Sequence, residues 1–505
     1  MSSNLTILYA TQTGNAALVG QWTQAAANAY AVDARLAAFD EVDLPALQGD
    51  VLLIISTTGE GDMPDMAQTL WHSLHDRAPD LRALRFAVLA LGDSLYDHYC
   101  KAGKDWDAKL ADLGGVRLGE RTDCDVEFED TAQRWIAARL DALANEHGWE
   151  KRETAPSPVT PGHSRQHPLP LVLRARQTLT AANAIREVVH CELQTPPGTT
   201  WQPGALLHIL PENPPELVDA ALQILGARAA DRVYWQGRNY ALGDLLCREV
   251  ELRLPGQEFL RALGMECPRG DVLECLRAGI VLDVQDAVDA LEPIRARTYS
   301  VASIPDTLAL TVGRVHFEKN GKHYAGIASN WLADIPPGTP IRGWLHDNPQ
   351  FALPEDDATP MLMIATGTGI APYRGFLQER ARRHASGKHW LIFGDRHEQS
   401  DFLYRDEWLA WQRDGLLHKL TPAFSRDQKT KIYVQHRLHE HGAEVFQWLE
   451  NGACLYVCGD ARRMAADVDA ALHEIVRKHG NMRAADAAAY LAKVKNDKRY
   501  RRDVY

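Results

Sequence analysis

The stretch "LTILYATQTGNA" (5–16) decides how the first third of the chain is read. Its apolar run ends near Ala10 and reads as a strand, while helical spacing begins near Ala16. The turn between them therefore sits at a helix N-terminus, where N–H groups lack partners. The hydroxyls of Thr11 and Thr13 and the N–H groups of the turn can converge there on one phosphate. The turn carries no lysine or arginine. Without G-K-[ST] it does not suit a triphosphate, and without G-x-G-x-x-G it does not indicate a dinucleotide. A neutral cradle suits a single terminal phosphate that stays bound. Standing alone, the same turn is more often an ordinary strand–helix connection.

Two further loops bear on that choice. "VLLIIS" (51–56) and "FAVLAL" (86–91) are compact apolar strands, and residues 5–147 alternate strand with helix, which implies a parallel, doubly wound sheet. "STTGEGDMPD" (56–65) and "LGDSLYDHYC" (91–100) leave the same carboxyl edge as the first turn, where ligands bind in open α/β folds. Their glycines let the backbone approach a flat ring, and Tyr96 and Tyr99 offer stacking surfaces.

The chain of 505 residues is too long for one core and its length suggests about three domains. Of its net charge of −12, residues 1–150 hold 24 Asp+Glu against 11 Lys+Arg, a balance of −13, so the remainder is close to neutral. That concentration disfavours nucleic acid as a partner of the first domain and suits a basic docking surface. No apolar run reaches the roughly 20 residues of a membrane helix, and the N-terminus lacks the regions of a signal peptide. The eight cysteines form no CxxC pair, so neither a disulfide framework nor a metal site is expected, and a reducing cytoplasmic setting follows.

"KRETAPSPVTPGHSRQHPLP" (151–170) carries five prolines and reads as an extended linker. Residues 171–355 read as a β-barrel of antiparallel strands, interrupted at 211–294 by a mostly helical insertion. From 356 to 505 the strand–helix alternation returns, with "PMLMIATG", "HWLIFGD" and "CLYVCGD" as strands.

Within the barrel, "RARTYSVAS" (295–303) offers an arginine for a pyrophosphate, an aromatic to face a flat ring and a hydroxyl beside it. "YAGIASNWL" (324–332) opens a helix with an anion-binding turn at Gly326 and Ser329. "MLMIATGTGIAPYRGFLQER" (361–380) is a buried strand, a Gly-Thr-Gly turn and an amphipathic helix, a second place for a pyrophosphate. In "SRDQKTKIYVQ" (425–435) the cations and hydroxyls suit a 2′-phosphate, where a bare ribose would call for a carboxylate. By composition alone "KRYRRDVY" (498–505) is a frayed basic tail.

The three loops of the first domain resemble those of a flavodoxin, and "AGKDWDAKLADLGGVRLGERTDCDVEFED" (102–130) extends the likeness to the FMN domain of diflavin reductases. The barrel motifs resemble the R-x-Y-S and G-x-[AC]-[ST] motifs of the ferredoxin–NADP reductase family, and "GTGIAPYRGFLQER" its pyridine-nucleotide motif. The resemblance implies three cofactors: FMN, FAD and NADPH. It assigns FMN phosphate to Thr11, Gln12, Thr13, Gly14 and Asn15, and the ring to Thr58, Gly59, Leu91, Gly92, Tyr96, Tyr99, Cys100 and Asp125. FAD falls to Arg297, Tyr299, Ser300, Gly326, Ser329 and Tyr505. NADPH falls to Gly367, Thr368, Gly369, Arg374, Ser425, Arg426, Lys431, Tyr433 and Gln435. Ser300, Cys458 and Asp503 match the trio that assists hydride transfer, and Tyr505 would stack where nicotinamide must enter.

Two departures stand out. Thr58 replaces the stacking tyrosine of cytochrome P450 reductases, and Ala205 in "WQPGALLHI" (201–209) replaces the usual acid of a Q-P-G-D segment. Thr58, "KAGKDWDAKLADLGG" and the ending "RYRRDVY" resemble the sulfite reductase flavoproteins more than the P450 reductases. The expected acceptor is therefore the sirohaem hemoprotein of sulfite reductase, docking on the acidic domain, with no membrane anchor. The alternatives are a free-standing reductase of another haem protein and a non-catalytic flavin-binding subunit.

Overall fold

A computed structural model of the chain describes residues 5–505 apart from 13, 31, 48, 60, 95–97, 127, 152–162 and 320. Thr13, Tyr96 and most of the proline-rich segment thus lie outside the described residues. In the first domain the strands are β1 (Leu5–Ala10), β2 (Arg35–Ala38), β3 (Gly49–Ser56), β4 (Leu84–Leu91), β5 (Val116–Arg117) and β6 (Thr122–Cys124). They form one parallel sheet in the order β2-β1-β3-β4-β5, with β6 also on β4. β1, β3 and β4 are buried on both faces, which is why they read as continuous apolar runs rather than alternating ones. The helices Asn15–Asn28 and Glu129–His147 pack in one layer with Leu52, Ile54 and Leu89, while Asp65–Arg77 and Lys101–Asp112 cover Leu53, Ile55 and Val88 on the other face.

The barrel follows with β7 (Leu169–Thr178), β8 (Val188–Gln194) and β9 (Leu206–Leu210). The insertion then supplies five helices and one hairpin, β10 (Arg232–Trp235) and β11 (Arg238–Ala241), around its own apolar core. β12 (Arg297–Ser300), β13 (Leu308–Gly313), β14 (His316–Lys319), β15 (Lys322–Ala325) and β16 (Pro340–His346) complete this region. The barrel order is β12-β9-β16-β7-β8-β13, all antiparallel, and a bridge between Val301 and Leu310 joins the two ends. β7 starts at Leu169, two residues inside the expected linker.

The last domain holds β17 (Met361–Thr366), β18 (His389–Asp395), β19 (Lys419–Phe424), β20 (Cys454–Gly459) and β21 (Tyr500–Val504). They form a parallel sheet in the order β19-β18-β17-β20-β21. β21 corrects the composition-based reading of "KRYRRDVY" as a frayed tail: it pairs with β20 in a register that sets Asp503 opposite Cys458. Pairing with β20 satisfies one side of its backbone, so a strongly charged segment can serve as an edge strand.

The first domain is clasped to the other two by two arginines. Arg295, its side chain 9% exposed, donates to Asp93 at 2.9 Å and to Ser94 Oγ at 3.1 Å, and lies 3.4 Å from Asp125. Arg502 pairs with Asp65, its Nε at 2.9 Å from Oδ2, and its carbonyl accepts from Gln12 Nε2 at 3.2 Å. Near the end of the linker, Arg165 donates to the Ile294 carbonyl and Gln166 to Asp130. Among the described residues no helix is long and apolar enough to cross a membrane.

Truncating a buried ion-pair partner leaves the opposing charges uncompensated, at a cost of about 3 kcal/mol. Arg295→Ala is therefore expected to undock the first domain, read as a larger radius of gyration in X-ray scattering while FAD stays bound.

Candidate functional site

The carboxyl ends of β1, β3, β4 and β6 bring the first-domain loops together. Thr11 is 2% exposed and its Oγ1 accepts from the Gly14 N–H at 2.9 Å. Gly14 caps the helix Asn15–Asn28 at φ +97°, a conformation that favours glycine, with no side-chain cap on the first N–H groups. Gln12 is turned outward to β21, and its Oε1 accepts from the Asp65 N–H. The second loop is pinned by reciprocal backbone bonds between Thr58 and Asp62, with Gly59 at φ +52°. In the third, the Gly92 N–H bonds to Cys124 O, and Asp125 accepts from Ser94 N, Ser94 Oγ and Val126 N.

A cavity of about 1000 Å³ opens onto these loops, walled by Gly14, Asn15, Leu91, Gly92 and Asp125 on one side. Thr58, Gly59 and Tyr99 stand beside it rather than in its wall. Cys100 is different: its side chain is fully buried, its thiol donates to the carbonyls of Ala90 and Cys124, and burial pushes its pKa up to about 12. It packs the sheet rather than facing a ring. The neutral cradle, the capless helix start and the flat opening together fit FMN.

A second cavity, of about 640 Å³, is lined by all six residues assigned to FAD: Arg297, Tyr299, Ser300, Gly326, Ser329 and Tyr505. The insertion adds two residues that its helical spacing gave no means of finding, Glu251 and Arg253. Glu251 lies 3.8 Å from Arg297, and Arg253 is held by Asp271 at 2.8 Å. Two guanidinium groups and the uncapped start of the helix Ile327–Asp334 suit a pyrophosphate, so this cavity fits FAD. Ala205 is 1% exposed among the barrel's core residues, and its carbonyl accepts from Val301 N. It also lines the 1000 Å³ cavity beside Gln202 and Pro203 and not the 640 Å³ one, so the departure from Q-P-G-D falls outside the cavity that fits FAD.

At the cavity's inner end Ser300 Oγ donates to Asp503 Oδ2 at 2.7 Å, and Cys458 Sγ approaches the same oxygen at 3.8 Å. Burial raises the pKa of Asp503 and holds the Cys458 thiol well above its ordinary value, so the thiol stays protonated. Ser300, Cys458 and Asp503 can position a reacting ring and offset charge, and none of them is set up as a nucleophile.

The Gly-Thr-Gly turn adjoins this cluster. Any Cβ at Gly369 would fall 2.3 Å from Cys458 O, so the glycine is what lets the turn touch the end of β20. Gly367 stands at φ +54°, and Thr368 Oγ1 meets the Tyr505 hydroxyl at 3.1 Å. Beyond β18 and β19, Ser425 N bonds to Asp395 O and Arg426 N to Arg396 O. The side chains of Arg426 and Lys431 are exposed, Tyr433 is 41% exposed and stacks on His436, and Gln435 donates to Asp467. Arg374 stands apart from this group. It pairs with Glu407 at 2.8 Å, donates to Ala302 O and lies over Tyr404, joining the last domain to the barrel.

An antiparallel barrel between two parallel-sheet domains, with two adjoining cavities and exposed cations after β19, defines a flavin- and pyridine-nucleotide-dependent oxidoreductase. Residues 7–135 match the flavodoxin family and residues 363–470 the oxidoreductase NAD-binding domain family. The chain is 36% identical to the sulfite reductase [NADPH] flavoprotein alpha-component of Bacillus subtilis, over 100% of its own length and 90% of that protein. It is 38% identical to the protein of the same name from Vibrio cholerae El Tor, covering 100% and 88%, and 35% identical to that of Escherichia coli K12, covering 99% and 90%. The chain belongs to the family of sulfite reductase [NADPH] flavoprotein alpha-components.

Because burial raises the pKa of Asp503, the folded state binds its proton more readily than the unfolded chain does. The resulting stabilisation is complete below the ordinary carboxylate range and is lost as pH rises through the raised value. Asp503→Asn removes that loss, so at pH values above the raised value the variant's unfolding midpoint should equal or exceed the wild type's. Flavin reduction by NADPH, followed by stopped flow, should slow by about 100-fold.

Proposed function

We propose that this chain is the NADPH-oxidising component of a sulfite-reducing system and passes electrons to a haem-type acceptor, the sulfite reductase hemoprotein. Bound FAD supplies the acceptor for the hydride of NADPH, and bound FMN passes the two electrons onward singly. The observation that carries this reading is that the two cavities share walls: Asn15, His208, Arg297, Thr298 and Tyr505 line both. Asn15, at the start of the first domain's first helix, thus faces the FAD cavity, so two flavins held here would be neighbours.

The chain's own groups divide the work. Arg426 and Lys431 present exposed cations to the 2′-phosphate, and the Gly-Thr-Gly turn offers backbone N–H groups to the pyrophosphate. Tyr505 covers the place where nicotinamide enters. Ser300, Cys458 and Asp503 then orient the reacting ring and stabilise developing charge, while the burial of Cys458 and Asp503 keeps water from their side chains. The acidic first domain presents the docking face for the acceptor, and residues 151–170 give it the reach to turn from the barrel toward that partner.

The acceptor is tested by mixing the NADPH-reduced protein with a sirohaem hemoprotein and measuring sulfide formed from sulfite. Sulfide production supports the reading, and its absence alongside rapid reduction of another haem protein would sink it. Removing both cations with Arg426→Ala and Lys431→Ala should raise KM for NADPH by about 100-fold and leave that for NADH unchanged.

A further inference from the structure

The turn that starts the first helix does not face solvent in this structure. A Cβ placed on Gly14 would fall 2.8 Å from His346 Nε2 and 3.1 Å from the Asp347 carbonyl. The barrel strand β16 therefore ends against the phosphate turn of the neighbouring domain. The next residue along, Asn348, is 4% exposed, and among the described residues neither its Oδ1 nor its Nδ2 has a hydrogen-bond partner. Asn348 lines the same 1000 Å³ cavity as Gly14 and Asn15. A buried primary amide with both ends unsatisfied is costly unless a ligand completes it.

We propose that Asn348, carried by the FAD-binding barrel, completes the FMN site across the domain boundary and makes FMN a ligand that favours the docked arrangement. The inference rests on the reading of the first-domain loops as the FMN site. Its chemistry is that of the amide: Nδ2 can donate to a phosphate oxygen and Oδ1 can accept from a ribityl hydroxyl. The neutral turn supplies no cation of its own, so a donor from the facing domain adds to a cradle built otherwise from hydroxyls and backbone. Whatever FMN gains from Asn348 exists only while the domains are docked. By linkage, FMN must then favour docking by the same factor.

The test uses the full-length protein. FMN and FAD dissociation are followed separately by fluorescence, and scattering is recorded before and after FMN is added to FMN-stripped protein. Asn348→Leu should weaken FMN binding roughly 10-fold or more, the value of a hydrogen bond to a charged group, and leave FAD in place. FMN should compact the wild type and not the variant. Unchanged FMN affinity would overturn the proposal, as would selective loss of FAD, which would put the amide on the other flavin. Equal compaction of wild type and variant would also overturn it. If the leucine variant loses both flavins, Asn348→Asp decides: it keeps the side chain's size and sets a negative charge against the phosphate. Loss of FMN alone from that variant upholds the proposal, and any other pattern refutes it.

Discussion

The parallel pairing of the last strand, Tyr500–Val504, with Cys454–Gly459 is the contact on which the three domains depend. Successive side chains of a strand point to opposite faces, so two adjacent residues serve different domains. Arg502 reaches Asp65 and, through its carbonyl, Gln12 of the first domain. Asp503 reaches Ser300 of the barrel and stands beside Cys458 of its own sheet. Arg501 donates to the carbonyl of Ala352, and Tyr505 closes a wall shared by both cavities. Loss of this strand's register by one residue would exchange the faces of Arg502 and Asp503 and dismantle both connections together.

The electrostatic design separates a resident cofactor from an exchanging one. The first phosphate turn is buried and neutral, with Thr11 and Gln12 almost wholly covered. Arg426 and Lys431, after β19, are exposed to water, as the proposed site for an exchanging nucleotide requires, since charges there are screened. Part of the acidity of the first domain is engaged internally, since Asp65, Asp93 and Asp125 face Arg502 and Arg295. Docking to the barrel therefore draws on carboxylates of the acidic domain that the proposed acceptor would meet.

Much of this was legible because the central strands are apolar without interruption. β1, β3, β4, β17, β18 and β20 are buried on both faces and announce themselves. Edge strands did not. β19 contains Pro422, tolerated because only one side is paired, and β21 is mostly charged. The six FAD residues come together because they sit on motifs whose spacing is local. Glu251, Arg253 and Asn348 escaped notice because each matters only through what the fold packs against it. Cys100 and Arg374 carry the right motif positions but face the core and a domain joint, and no linear pattern reports which way a side chain turns.

The sequence by itself determined the elements and the chemistry of each loop: a neutral phosphate turn, a barrel with an R-x-Y-S strand and a nucleotide-binding α/β unit. Hydrophobic period and turn chemistry are local properties, and a chain displays them in order. Only the tertiary structure decided which loops share a cavity and which arginine meets which carboxylate. It also decided that Tyr500–Val504 form a strand at the junction of all three domains. Those outcomes depend on contacts between residues as much as 490 positions apart, and burial and strand pairing are fixed by the assembled fold rather than by any stretch of it.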